Sequence, residues 1–149
     1  MTLPPAPRKP KLLFLCTGNS ARSIMAEAFL KKQADDKFEI YSAGLEPKGI
    51  NPYTIQVMDE VGIDVRGQSS DPLGKYRNML FAYVITVCAH ADANCPDALW
   101  SRGKKLHWYF DDPAAVEGSD EEKLAKFREI RDQINARIEK WLTEEYVPA

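Results

Sequence analysis

Apolar residues along the chain come in short blocks whose period changes from one block to the next. Leu12-Leu13-Phe14-Leu15 is a continuous apolar run, the pattern of a strand buried on both faces in a parallel sheet. Beyond it, Ile24, Met25, Ala28 and Phe29 fall on one side of a helical period, with Glu27, Lys31 and Lys32 on the other. Phe38 to Ser42 reads as a second strand. Asn51-Pro52 offers an N-cap and a proline for the first helical position, opening a helix through Ile55, Val57, Met58 and Val61 that Gly62 closes. Phe81 to Val87 is another strongly apolar strand, ending at Cys88. Lys105 to Phe110 reads as a further strand, with Trp108 and Phe110 on one face and Tyr109 on the other. Ser119 and Glu122 make a capping box for a helix carrying Leu124, Phe127, Ile130, Ile134, Ile138 and Trp141. Strands alternating with helices predict an α/β domain with a parallel sheet covered on both faces.

Composition narrows the class. With 149 residues, 44% hydrophobic and 28% charged, the chain suits one domain that buries its core without covalent staples. Residues 1–10, holding Pro4, Pro5, Pro7 and Pro10, read as an extended, flexible tail ahead of a single domain over 11–149. Twenty Lys+Arg against 22 Asp+Glu leave a net charge of −2, which argues against strong non-specific binding to nucleic acid. No apolar run approaches the ~20 residues that span a bilayer. The run at Leu12 is too short for a signal peptide. Three cysteines, Cys16, Cys88 and Cys95, are too few and too odd in number for a disulfide framework. They read as thiols kept available in a reducing, cytoplasmic compartment.

Cys16 stands where chemistry is expected. In a parallel α/β sheet, sites form beyond the carboxyl ends of the strands. Cys16-Thr17-Gly18-Asn19-Ser20-Ala21-Arg22-Ser23 leaves such an end and enters a helix N-terminus. Successive backbone N–H groups there face one point, and the helix dipole favours negative charge at it. Gly18 and Asn19 tolerate the backbone angles such a cradle requires. The same surroundings favour a thiolate. Arg22 adds a planar fork suited to two oxygens of an oxyanion, and Ser23 can donate to the sulphur. A buried, inert cysteine with Arg22 on a solvated helix face is the blander reading.

These residues carry a resemblance. Cys16 through Arg22-Ser23-Ile24-Met25-Ala26-Glu27 resembles the phosphate-binding loop of the low-molecular-weight protein tyrosine phosphatase superfamily. Tyr41-Ser42-Ala43-Gly44, Ser69-Ser70-Asp71, Val87-Cys88 through Asn94-Cys95-Pro96, and His107 through Asp111-Asp112-Pro113-Ala114 resemble the thioredoxin-coupled arsenate reductases within it. The likeness covers about residues 11 to 142. It implies a three-layer fold: a central, mainly parallel four-stranded sheet with helices on both faces.

The remaining cysteines and the acid have their own geometry. Cys88 ends an apolar strand, so in a parallel sheet it emerges on the rim that holds Cys16. A helical Ala89 to Asn94 would set Cys88 and Cys95 ~10 Å apart along its axis. A disulfide needs Cα atoms within ~7 Å, so a Cys88–Cys95 bond requires this segment to unwind. Both could otherwise be small buried hydrophobes. A zinc site with His90 and His107 is disfavoured by the long cysteine spacing. Proline restricts the residue before it to extended conformations, which holds Asp112 out from the backbone as an acid or as an ordinary turn aspartate.

Carried over residue by residue, the resemblance implies a thiol relay without an organic cofactor. Thr17, Gly18, Asn19, Ser20, Ala21, Arg22 and Ser23 bind arsenate, Cys16 attacks it, and Asp112 protonates the departing oxygen. Cys88 resolves Cys16 and releases arsenite, and Cys95 then resolves Cys88 for reduction by thioredoxin. The implied role is arsenic detoxification by a monomer that needs neither membrane nor nucleic acid. Some relatives hold potassium beside the loop, at positions matched by Asn19, Glu27, Ser42, Ser69 and Asp71. Oxygen donors suit a hard cation, but side chains bracing a loop would read the same. Ala21 departs from the many relatives with a further cysteine there. Two alternatives stand beside the reductase. One is a phosphotyrosine phosphatase, disfavoured by Ala114-Ala115 where phosphatases place tyrosines, although weak phosphatase activity is expected. The other is a non-catalytic redox sensor or oxyanion-binding module.

Overall fold

The apolar run around Leu13 forms the middle of the sheet, because a strand with no polar side chain is stable only where both faces are covered. In the computed structural model, which describes residues 9–93 and 103–146, it is β1 (Lys11–Cys16), and Leu12 to Leu15 are fully buried. Sealing four such side chains from water contributes about 1.5–3 kcal/mol each. Three more strands, β2 (Glu39–Gly44), β3 (Tyr83–Thr86) and β4 (Lys104–His107), complete a sheet of order β2-β1-β3-β4. Every pairing is parallel, with Leu13 opposite both Tyr41 and Val84. Helices α1 (Arg22–Ala34), α2 (Pro52–Asp59), α3 (Ala89–Ala93) and α4 (Asp120–Lys140) intervene as the alternation requires.

Strand parity decides what each face packs. Phe14 packs on Trp108 at 6.0 Å, and Tyr83 and Trp108 meet Trp141, just beyond α4, at 5.2 and 6.0 Å. On the opposite face Tyr41 packs on Tyr76 and Phe81 at 5.3 and 6.0 Å, under a short 3-10 turn at Leu73–Tyr76. Asn51 caps α2 by accepting from the Tyr53 N–H at 2.9 Å, and the Ser119–Glu122 box opens α4.

Several boundaries differ from the sequence reading. Strand β4 stops at His107, and only the Trp108 N–H extends its ladder, to the Thr86 carbonyl at 2.8 Å. The chain leaves the sheet there to carry Phe110 and Asp112 across the rim. Helix α2 ends at Asp59, short of Val61, and Gly62 takes a φ of +77° in the turn that follows. Lys9 and Pro10, expected in the loose tail, are already tied down: the Glu39 N–H donates to the Pro10 carbonyl at 3.0 Å. Cys95, and with it the expected unwinding between it and Cys88, lies outside the described residues. Among the described residues no helix is long and apolar enough to cross a membrane.

Candidate active site

Strand β1 delivers Cys16 to the rim, and the loop from Thr17 to Ala21 folds back over it. Asn19 has a φ of +44°, which turns its N–H onto the Cys16 sulphur at 3.2 Å. Ser23, in the first turn of α1, sits 2.8 Å from the same sulphur. The loop is held from behind. The Asn19 amide nitrogen donates to Ser23 Oγ at 2.8 Å and to Ser42 Oγ at 3.0 Å, while its Oδ1 accepts from the Asp71 N–H at 2.7 Å. Ser42 in turn donates to Glu27, whose other oxygen meets the Lys31 ammonium at 2.5 Å. Cys16, Asn19, Ser23, Glu27 and Ser42 are all buried. Gly44 is needed at the end of β2, since a Cβ there would lie 2.7 Å from the Thr17 carbonyl oxygen.

Arg22 opens α1 and spans the rim. Its Nη1 donates to the Phe110 carbonyl at 3.1 Å, and its Nη2 stands 3.9 Å from Asp112 Oδ2. Asp112 caps the short turn at Pro113–Ala115 by accepting from the Ala114 N–H at 2.9 Å through Oδ1. Its second oxygen is thereby aimed at Arg22. Asp111 faces elsewhere, to Lys126 at 3.1 Å, and that hydrogen bond holds its carboxyl below the usual range.

The wall opposite Cys16 belongs to β3 and α3. Cys88 follows β3, and its sulphur lies 3.4 Å from Thr17 Oγ1 and 3.4 Å from the Ala91 N–H. Asp92, on α3, meets the Lys105 ammonium at 2.9 Å, and this bond lowers the Asp92 carboxyl pKa. Thr86 Oγ1 reaches both Asp92 at 3.3 Å and His107 Nδ1 at 2.8 Å. Cys16 and Cys88 are both free thiols that line one cavity of about 790 Å³ together with Arg22 and Asp112.

Of the loop residues expected to bind an oxyanion, Thr17, Gly18, Ser20, Ala21 and Arg22 line this cavity. Asn19 and Ser23 do not. Their side chains turn inward to brace the thiol, because Ser42 and Asp71 offer the buried partners that Asn19 needs. The oxygens expected to hold potassium are gathered around Asn19, but they already meet protons. Glu27 meets Ser42 and Lys31. Asp71 Oδ2 accepts from Ser69 at 2.9 Å and Tyr76 at 2.7 Å and has the Lys75 ammonium at 3.4 Å. Burial pushes the Asp71 carboxyl up, but these contacts outweigh it and hold the pKa down. In this arrangement the set does not fit a bound cation, since Lys31 and Lys75 already neutralise its two carboxylates. Lys48 and Tyr109 also line the cavity, and sequence reasoning did not single them out for it. The position of Lys48, four residues beyond the end of β2 on the same rim, is the signal that could have found it.

Comparison with known proteins places this site in context. The profile of the low molecular weight phosphotyrosine protein phosphatase family matches residues 11–147. An arsenate reductase of Halalkalibacterium halodurans is 48% identical over 130 residues, covering 87% of this chain and 93% of the relative. A solved structure of an arsenate reductase in the oxidized state superposes with a TM-score of 0.76 at 34% identity, over 87% of this chain and 94% of that one. A thioredoxin-dependent arsenate reductase of Corynebacterium glutamicum superposes with a TM-score of 0.69 at 29% identity, over 92% of this chain and 62% of that one.

Proposed function

The chain belongs to the low molecular weight phosphotyrosine protein phosphatase family, and from that premise we propose that it is an arsenate reductase driven by a three-thiol relay. The observation that carries this reading is the meeting of Cys16 and Cys88 in one cavity, beside Arg22 and Asp112. A phosphatase needs the first thiol, the arginine and the acid, but has no use for a second thiol facing the first. The similarity to curated arsenate reductases supports the same substrate.

The Cys16 thiolate attacks arsenic as the loop amides and Arg22 hold the other oxygens, and Asp112 gives its proton to the departing oxygen, which leaves as water. Arsenic is still pentavalent at this stage. The Cys88 thiolate then attacks the Cys16 sulphur. The S–S bond forms, the S–As bond breaks, and its electron pair stays on arsenic, which leaves as arsenite. Cys95 attacks Cys88, restoring the Cys16 thiolate and leaving a Cys88–Cys95 disulfide. Thioredoxin supplies the two electrons that reopen it, a partner favoured by the likeness to a thioredoxin-dependent relative. No organic cofactor takes part, and the reducing cytoplasm suits the chemistry. Asn19, Glu27, Ser42, Ser69 and Asp71 brace the loop. NADPH consumption with thioredoxin, thioredoxin reductase and arsenate tests the reading. A steady arsenate-dependent rate is expected, and hydrolysis of aryl phosphate without that rate would overturn it.

A further inference from the structure

Arg22 is an incomplete counter-charge for this cavity. One of its nitrogens is committed to the Phe110 carbonyl at 3.1 Å, and another stands 3.9 Å from the Asp112 carboxylate. A tetrahedral oxyanion would enter beside the Cys16 thiolate, in a cavity that the Glu46 carboxylate also lines. The loop amides orient such a ligand but bring no net charge. Like charges at these separations oppose binding unless another cation is present.

Lys48 is that cation. It lines the same cavity, and its backbone N–H donates to the Gly18 carbonyl at 2.9 Å, rooting the residue on the oxyanion loop itself. Its stem crosses Gly18: a Cβ added to that glycine would meet Lys48 Cδ at 3.5 Å and Cγ at 3.7 Å. The ion-paired lysines among the described residues are Lys11, Lys31, Lys75, Lys105 and Lys126, so Lys48 lines the cavity without a carboxylate in ion-pair distance. A compact ammonium on a flexible stem can follow an oxygen whose position changes as the ligand reacts.

We propose that Lys48 is a second anion-binding residue of the site, whose ammonium meets the outward oxygens of the bound oxyanion and favours a doubly over a singly charged ligand. The assignment rests on the arsenate-reductase reading for its substrate, but not for its readout. Inorganic phosphate is expected to protect Cys16 from alkylation by iodoacetamide, a neutral reagent, whether or not arsenate is reduced. Lys48→Met keeps the stem over Gly18 and removes the charge. It is expected to raise the half-protecting phosphate concentration about tenfold at low ionic strength. The arsenate KM should rise by a similar factor while kcat changes far less, and Lys48→Arg should recover most of the loss. Salt should weaken phosphate protection more steeply in the parent than in Lys48→Met. Half-protection within twofold of the parent, in a Lys48→Met protein with an unchanged melting temperature, would overturn the assignment. Should Lys48→Met fold poorly, equal protection in the parent and Lys48→Gln would overturn it instead. A tenfold shift in protection with no arsenate-dependent turnover in the parent would uphold Lys48 and defeat the reductase reading.

Discussion

The two walls that face each other across the cavity are built to opposite standards. Behind Cys16, an unbroken hydrogen-bonded series runs through Ser23, Asn19, Ser42 and Glu27 to Lys31, almost entirely buried. Behind Cys88 stands a helix of five residues, tied to the sheet by Asp92 and Lys105, whose side chains are 38% and 23% exposed. The first wall holds an oxyanion and must not relax as charge develops, so its donors are fixed before the substrate arrives. In the proposed relay the second carries a thiol that changes partner twice, and among the described residues the Asp92–Lys105 tie that anchors its helix is partly open to solvent. Under the proposed mechanism, fixing one sulphur and holding the other less tightly is what lets a phosphatase-like loop perform a redox reaction.

The comparison breaks most visibly at the loosely held wall. Cys88→Ser should abolish arsenite release altogether, and Cys95→Ser should stop after one arsenite per protein where the parent turns over continuously, as counted by arsenite yield with thioredoxin and thioredoxin reductase present. Sustained thioredoxin-driven turnover in Cys95→Ser would contradict the division of labour. Asn19→Ala comes next, because it strips the buried wall of its central amide and leaves Ser42 and the Asp71 N–H without that partner. A loss of about 2–4 kcal/mol is expected in urea unfolding, with slower alkylation of Cys16. A loss below about 0.5 kcal/mol would mean that the buried series is decorative.

Asp92→Asn has a smaller effect and sharpens the contrast. Amide hydrogen exchange over residues 89–93 should quicken about threefold to tenfold, whereas β1 and α1 keep their protection. Faster exchange in both regions would show that the walls open together. The weakest effect belongs to Glu60, which joins α2 to α4 far from either wall. Hydrogen bonds from Arg128 at 2.7 Å and Arg131 at 2.9 Å hold its carboxyl below the usual range. A carboxylate with a lowered folded-state pKa stabilises the fold above its unfolded value of about 4.3 and loses that contribution as the pH falls through the folded value. The difference in urea midpoint between the parent and Glu60→Gln should therefore shrink from pH 6 to pH 3, with arsenate turnover at pH 7 unaffected.

Where chemistry is contiguous it can be read along the chain. Cys16 to Ser23 is one strand end, one loop and one helix start, so its geometry follows from local rules. Cys88 was legible as well, because it ends an apolar strand and parallel strands all end on one rim; that its strand lies directly beside β1 came only from the structure. Asp112 was set apart from Asp111 by the proline after it and, as the acid, by resemblance; in three dimensions the difference is that Lys126 draws Asp111 away. Contacts between distant segments were not legible. Asn19 to Ser42 and Asp71, or Thr86 to His107 and Asp92, depend on strand register and on where each loop returns. Lys31 beside Glu27 is a four-residue helical spacing and was visible in principle. What hid it was the expectation of a metal, whose oxygen donors look the same in sequence as a network of braces. Strand β4 was overextended for a related reason. Trp108 and Phe110 alternate like strand residues and are both buried, yet the chain has already left the ladder to bring the Phe110 carbonyl to Arg22.

In the proposed relay the two electrons passed to arsenic leave behind a disulfide that does not involve the sulphur that met the substrate. Reduced protein treated with excess arsenate and no thioredoxin, then alkylated, digested and mapped by mass spectrometry, reads this directly. The expected product has Cys88 joined to Cys95 and Cys16 recovered as an alkylated free thiol, with one arsenite formed per chain. Arsenite formed at that yield with all three cysteines still alkylated, or with Cys16 held in the final disulfide, would contradict it.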